Sequence, residues 1–161
     1  MSKIYVDELH PKTSGKVITS KINCLAQVSI NNSNSQDTSN PFTTLDTAIK
    51  FNVVSINKGN VYNSSTGKFT APSDGVYEFS WSLLLDDVAG TNQVKVFKNG
   101  STEIKELRAT SGADAYYDQT TKIGFVELLA NDTLEVQLDV GGFFIGTDEA
   151  YHCVTFRYIG E

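Results

Sequence analysis

The chain has 161 residues, a net charge of -6 and a sequence pI of about 4.9, a length that fits one domain with a sizeable core. Its 13 Lys and Arg residues form no cluster, which argues against the positive footprint that binding to a nucleic-acid backbone requires. No apolar run approaches the roughly 20 residues of a membrane span, and residues 1–10 lack the apolar core of a secretory signal, so we expect neither membrane insertion nor Sec-type export.

The first 22 residues differ in character from the rest of the chain. A minimal strand-like run at the start is interrupted by Pro11, and a turn sequence precedes the next apolar pair. A segment of this kind cannot bury much apolar surface alone. We therefore predict an extended arm over residues 1–22 and one domain over residues 23–161. The arm's apolar side chains, which would make its contacts, are Ile4, Tyr5, Val6, Leu9, Val17 and Ile18.

Alternating apolar and polar residues predict the strands of the first half of the domain. A first strand covers residues 25–30, and residues 31–41 form a polar loop without periodicity. A short strand at 68–71 lies between two Gly-containing turn sequences. In residues 75–85 one face is uniformly large and apolar, which indicates a half-buried strand. Short strands between such turns are typical of a sandwich or barrel.

The second half of the domain gives five more strands. Residues 93–98 and 102–107 flank Asn99-Gly100, a strong signal for a two-residue hairpin. Residues 122–129 and 133–140 flank a three-residue connection, which predicts a second compact hairpin. A last strand alternates through residues 152–158.

Ten residues between positions 49 and 85 carry a resemblance to a known family. They are Phe51, Gly59, Tyr62, Gly67, Phe69, Ala71, Pro72, Gly75, Tyr77 and Phe79. This pattern resembles the globular head of complement C1q, a relative of the tumour-necrosis-factor fold, and the resemblance extends over about residues 22–161. It implies an all-β, two-sheet antiparallel jelly-roll sandwich, and its core framework is expected to include Phe51, Tyr62, Phe69, Tyr77, Phe79 and Trp81. No collagen-like stem precedes the head.

The resemblance also implies a trimer that binds or displays rather than catalyses. Nine Phe, seven Tyr and one Trp are more large side chains than one small core obviously needs, and aromatic residues dominate oligomer interfaces. We therefore expect a homotrimer with a mainly apolar axis. The alternative is a monomer in which all the aromatic side chains lie in one core.

The sequence contains no constellation typical of an enzyme. Its two histidines are His10, in the arm, and His152, which shares a strand face with apolar residues and is expected to be packed or to lie at an interface. No nucleophile elbow, phosphate loop or zinc-protease motif is present. The acidic pairs at 86–87 and 148–149 are expected to be solvated, so we predict no cofactor and no metal, with calcium as a minor possibility.

Cys24 and Cys153 are the only cysteines, and each falls in or beside a predicted strand. Since the first and last strands of a jelly roll often pair, a disulfide between them is conceivable. Two separate buried or half-buried thiols are the favoured interpretation for a chain without an export signal.

In the resembled family the first and last strands lie side by side, with both termini at one end of the head. The loops over residues 31–46 and 141–150 should then meet at the opposite end. The second loop contains Phe143, Phe144 and Ile145 between glycines and acidic residues. These three either tuck under the loop or into the trimer axis, which we favour slightly, or form an exposed contact patch.

The arm suggests where such a trimer would be found. Residues 2–9 and 11–19 are similar to the N-termini of virion-associated proteins of tailed phages, which anchor an exposed domain to the particle. We therefore expect a structural protein of the virion surface, such as a capsid decoration (cement) protein, held by the arm against capsid or other virion proteins. The alternative is the receptor-binding head of a tail or fibre that recognises a host-surface glycan or protein. The short chain favours the first role. A cell-surface or secreted bacterial binding protein is a weaker third interpretation, because the export signal is missing.

Overall fold

The computed structural model describes residues 24–33, 36–37, 39, 42–86, 90–111, 118–146 and 151–160. The described strands are β1 (Leu25–Ser29), β2 (Val53–Lys58), β3 (Tyr62–Asn63), β4 (Lys68–Thr70), β5 (Gly75–Asp86), β6 (Asn92–Lys98), β7 (Thr102–Glu103), β8 (Ala109–Ser111), β9 (Asp118–Leu128), β10 (Thr133–Val140), β11 (Gly142–Phe143) and β12 (Cys153–Gly160). One 3₁₀ helix, Lys105–Leu107, lies between β7 and β8. The predicted arm lies outside the described residues, so Ile4, Tyr5, Val6, Leu9, Val17 and Ile18 stay predictions.

The described strands form two six-stranded antiparallel sheets. In the first sheet the order is β9–β5–β12–β1–β2, and β11 pairs with the end of β5 on the side of β12. In the second sheet the order is β3–β4–β10–β6, and both β7 and β8 pair with β6. This arrangement confirms the predicted two-sheet jelly-roll fold.

The core lies between the sheets and is rich in aromatic side chains. Along β5, Tyr77, Phe79 and Trp81 point inward and are at most 1% exposed, as period-2 alternation requires. Tyr77 stacks on Phe156 of β12 at 4.9 Å between ring centroids, and Phe69 of the second sheet meets Phe79 edge-on at 5.3 Å. Aromatic contacts therefore join the two sheets. All six expected framework residues are buried in this core.

The first and last strands pair directly, from Leu25 opposite Arg157 to Val28 opposite Val154. Cys24 and Gly160 therefore lie at one end of the sandwich, called the base here. At the other end, the distal end, the Asn32 N–H donates a hydrogen bond of 3.0 Å to the Gly146 carbonyl. The described parts of the two long loops thus meet at the distal end, as expected.

The same register separates the two cysteines. The Cys24 carbonyl accepts a hydrogen bond from Tyr158 N–H, whereas Cys153 begins β12 five residues earlier, about 17 Å away along an extended strand. Both thiols are free. A disulfide between them would need Cα atoms within about 7 Å, so the conceivable bridge is wrong for this protomer.

Two predicted elements are wrong. The strand expected over residues 102–107 ends at Glu103, and the 3₁₀ helix follows because Leu107 is drawn into the core. The Leu107 carbonyl accepts a hydrogen bond of 3.0 Å from the Trp81 indole, and its side chain lies against Gly124, where a Cβ would approach it to 3.0 Å. A longer β7 would lift Leu107 away from both contacts.

The second wrong element is the compact hairpin between β9 and β10. β9 pairs with β5 in the first sheet, whereas β10 pairs with β4 and β6 in the second. The connection crosses between the sheets, and it is fixed by reciprocal backbone hydrogen bonds of Ala71 with Asn131 (2.8 Å) and Asp132 (2.9 Å). The hairpin at Asn99-Gly100 does form, with both residues at positive φ, but its loop contains three residues rather than two.

β2 is an edge strand of the first sheet, since β1 is its only partner among the described strands. Its register against β1 shifts between Gln27 and Val28, so that one residue of β2, Ser55, has no partner opposite. This β-bulge breaks the regular ladder and increases the local twist of the edge.

Candidate interaction surfaces

Phe143 anchors the second of the two loops at the distal end, whose described part is residues 141–146 and which we call the distal loop. Its ring is 0% exposed and stacks on Phe42 at 4.6 Å between centroids, while the two backbones exchange hydrogen bonds of 2.7 and 3.1 Å. Ile145 is also buried, at 1% exposed. The exposed-patch interpretation is therefore wrong for Phe143 and Ile145, because both side chains fill the distal end of the protomer's own core. They tuck under the loop, the alternative that we favoured.

His152 holds the same loop to β5. Its Nε2–H donates to the Phe144 carbonyl at 2.5 Å, and its Nδ1 accepts from the Leu84 N–H at 3.4 Å. The ring is 4% exposed and meets Phe143 edge-on at 5.4 Å. These contacts require the neutral imidazole, and burial lowers the pKa of His152 from 6.5 to about 4. His152 is thus a packed structural residue.

The start of the distal loop is held in place by Asn92, the buried first residue of β6. Its Oδ1 accepts a hydrogen bond of 2.8 Å from the Gly142 N–H, and its Nδ2 lies 3.4 Å from the Ser111 hydroxyl. Gly141 sits directly against this side chain with φ +82°, and a Cβ there would be 2.0 Å from the Asn92 Oδ1. Only glycine fits this close approach.

Two aromatic side chains reach the surface at the distal end. Phe144 is half-buried, and Tyr151, which is 41% exposed, meets it edge-on at 5.6 Å between ring centroids. Of the three predicted contact residues only Phe144 remains available. Tyr151 was missed by the sequence analysis, although it directly precedes the inward-facing His152 and so falls on the outward phase of the pattern.

The outer face of the second sheet carries charged side chains, and these are largely paired. Carboxylates and basic groups lie 2.5 to 3.0 Å apart in four ion pairs: Lys68–Glu135, Lys95–Asp139, Lys98–Asp132 and Glu103–Arg108. The carboxylate side chains of these pairs are only 5 to 24% exposed, and together the pairs leave this face with little unbalanced charge. Among the described residues of this face, no pair of apolar side chains is as exposed as the pair on the first sheet described next.

The outer face of the first sheet carries the most exposed apolar side chains. On the edge strand β9, Ile123 is 65% and Phe125 is 67% exposed, while Gly124 and Val126 between and beyond them face the core. We call Ile123 and Phe125 the axis patch. Sequence analysis missed it because both faces of β9 contain apolar residues, so the alternation alone does not say which face is buried.

A second apolar group lies at the base of the same face. Val76 points outward beside β12, Ile159 is 47% exposed, and Leu129 is 62% exposed just after β9. We call these three residues the base patch. The ion pair of Glu78 and Arg157, 2.8 Å between Oε2 and a guanidinium nitrogen, lies on the outer face between the base patch and the remainder of β5 and β12.

The described residues contain no group of three or more His, Cys, Asp or Glu side chains that could hold a metal ion. The same part of the chain includes no helix long and apolar enough to span a membrane. Residues 87 and 148–149, in the acidic pairs considered above, lie outside the described ranges.

Two antiparallel sheets, paired first and last strands and exposed apolar patches on one sheet define a jelly-roll head of the C1q and tumour-necrosis-factor type. A family model described as "C1q domain" matches residues 32–156, and the chain therefore belongs to this family. Its members are typically homotrimeric, non-enzymatic ligand-binding proteins. The match does not include the predicted arm.

Solved structures show the same fold at low sequence identity. The globular domain of zebrafish complement 1qA protein is 13% identical, with a TM-score of 0.59 over 84% of this chain and 95% of that one. Murine APRIL at pH 8.5 is 14% identical, with a TM-score of 0.61 over 85% and 99%. Murine APRIL at pH 5.0 is 13% identical, with a TM-score of 0.64 and the same coverage.

Proposed function

We propose that the protein is a non-enzymatic display head that assembles as a homotrimer through the axis patch. The observation that carries this proposal is the exposure of Ile123 and Phe125 side by side on the edge strand β9. Apolar surface removed from water contributes about 25 cal/mol per Å², and closed rotational symmetry brings the same patch of every copy to one axis. Domains of this family form homotrimers, which supports the same arrangement.

The double substitution Ile123→Asp and Phe125→Asp is expected to convert a trimer into monomers. In a three-fold contact it would bring six carboxylates together without counter-charges, and each buried ion costs several kcal/mol. Light scattering should give three times the chain mass of 17.6 kDa for the wild type and 17.6 kDa for the variant. The matched control is Leu45→Asp, an exposed apolar residue at the distal end, which should stay trimeric. A monomeric wild type would contradict the proposal.

We further propose that the trimer lies on the surface of a tailed-phage particle, as a capsid decoration or another surface protein. The similarity of residues 2–19 to virion-protein arms supports this role. Because β1 starts at the base, a trimer would present three arms at one end, opposite the distal loops. Three linked arms act at a high effective concentration, so that weak individual contacts give firm attachment. The partners would be capsid or other virion proteins.

Deleting residues 2–20 is expected to abolish association with particles while the soluble trimer remains intact, because the arm supplies the attachment and the domain supplies the assembly. The measurement is the amount of protein that co-sediments with particles lacking their own copy, compared with the full chain. Unchanged co-sedimentation would contradict the anchoring role.

The second candidate is a receptor-binding head for a host-surface glycan or protein, and the partly exposed pair of Phe144 and Tyr151 at the distal end favours it. Host adsorption of particles that carry a Phe144 variant distinguishes the two roles. A Phe144→Ser variant should still associate with particles in either case. Host adsorption should be unchanged for a decoration protein and strongly reduced for a receptor-binding head.

A further inference from the structure

The arm and the domain carry opposite net charge. Residues 1–23 contain Lys3, Lys12, Lys16 and Lys21 against Asp7 and Glu8, a net charge of +2. Since the whole chain carries -6, residues 24–161 carry -8. The arm and the domain therefore attract each other electrostatically, and this attraction acts over short distances at physiological ionic strength.

The base patch has an acidic rim. Val76 pairs with Glu127 across β5 and β9, and Glu127 is exposed on the same face. Asp74 is exposed just before β5, where its Oδ1 accepts a hydrogen bond of 2.8 Å from Ala130, the neighbour of Leu129. The patch thus combines three apolar side chains with two carboxylates that have no basic side chain among the ion pairs of the described residues.

The arm joins the domain beside this patch. The Cys24 carbonyl accepts its hydrogen bond from the N–H of Tyr158, the residue before Ile159. Val17 precedes Cys24 by seven residues, a reach of about 24 Å in extended chain. The base patch spans β12, β5 and β9, about 10 Å from the first to the last at 4.8 Å per strand. Val17 and Ile18 are therefore within reach of every strand of the patch.

We propose that residues 16–21 of the arm dock on the base patch of their own protomer. Val17 and Ile18 cover Val76, Leu129 and Ile159, and the flanking Lys16 and Lys21 face Glu127 and Asp74. This assigns Val17 and Ile18 to the domain and leaves Ile4, Tyr5, Val6 and Leu9 to meet another partner. The docking belongs to the isolated protein and does not depend on a phage particle.

Trypsin tests the docking with controls inside the chain, because it cleaves after lysine. In the full-length protein, cleavage after Lys16 should be at least about tenfold slower than cleavage after Lys3 and Lys12, since proteolysis follows the open population of a docked segment. Lys21 does not report docking, because it lies only three residues before Cys24 at the start of the fold. Mass spectrometry of a time course gives each rate. In the variant Leu129→Ser with Ile159→Ser, cleavage after Lys16 should be about as fast as cleavage after Lys12.

Two results would overturn the proposal. One is cleavage after Lys16 as fast as after Lys12 in the wild type. The other is protection that persists in the Leu129→Ser, Ile159→Ser variant, which would mean that the segment is held elsewhere. The variant Ile123→Asp with Phe125→Asp distinguishes the protomers: protection persists there if the arm docks on its own domain, and its loss in monomers would assign the contact to a neighbouring copy instead.

Discussion

Replacing Phe143 with Ala is expected to lower the free energy of unfolding by about 3–5 kcal/mol, the usual cost of truncating a buried aromatic side chain. The ring is fully buried, stacks on Phe42 and supports His152, so the cavity would open beneath the whole distal loop. Urea unfolding monitored by circular dichroism gives the measurement. A loss of this size is a large part of the stability of a small domain.

The matched control is Phe144→Ala, one residue further along. Because Phe144 is only half-buried, we expect a loss of about 1 kcal/mol. Equal losses for the two variants would contradict the structural assignment. The comparison also matters for function, since a defect in the Phe143 variant would report unfolding of the loop, whereas one in the Phe144 variant would report a surface contact.

Acidification from pH 6.5 to pH 4 is expected to remove about 3 kcal/mol of stability through His152 alone, since each unit of pKa shift corresponds to about 1.4 kcal/mol. Burial lowers the pKa of this imidazole to about 4 in the folded protein. The unfolded chain therefore takes up a proton near pH 6.5, whereas the folded protein does not until about pH 4. The contribution is fully present above pH 6.5 and falls as the pH falls.

Unfolding free energies measured from pH 7 to pH 4 test this expectation against a His152→Gln variant. Glutamine does not titrate and can still donate to the Phe144 carbonyl, so the steep decline between pH 6.5 and pH 4 should disappear. A wild type with the same pH dependence as the variant would contradict the assignment. Other groups act in a different window: hydrogen bonds from Asn99 and Lys98 lower the pKa of Asp132 to about 2, so its contribution is lost only below about pH 4.

The strands that sequence predicted best are those with one clearly apolar face. β5 and β10 each have one face of large apolar residues along most of their length, and the structure places both within one residue of the expected boundaries. Turn residues mark strand ends elsewhere as well: Asn99 and Gly100, both at positive φ, separate β6 from β7. Local pattern is sufficient where burial of a single face decides the conformation.

Which strands pair, and which side chains reach the surface, were harder to predict, because both depend on residues that are distant in sequence. Nothing in the short connection after β9 says that the next strand joins the other sheet through Ala71. The end of β7 at Glu103 depends on Trp81, far away in sequence. For the candidate sites, Phe143 reads as an apolar residue in a loop, and only its contact with Phe42 shows that it belongs to the core.

The bulged edge strand β2 has a consequence for contacts between copies of the chain. A long regular edge is a template on which another copy can add its own strand, and repeated addition builds filaments. The unpaired residue between the partners of Gln27 and Val28 interrupts that template, and the exposed Lys58 at its end adds charge. This irregularity therefore disfavours the addition of a strand from another copy at β2.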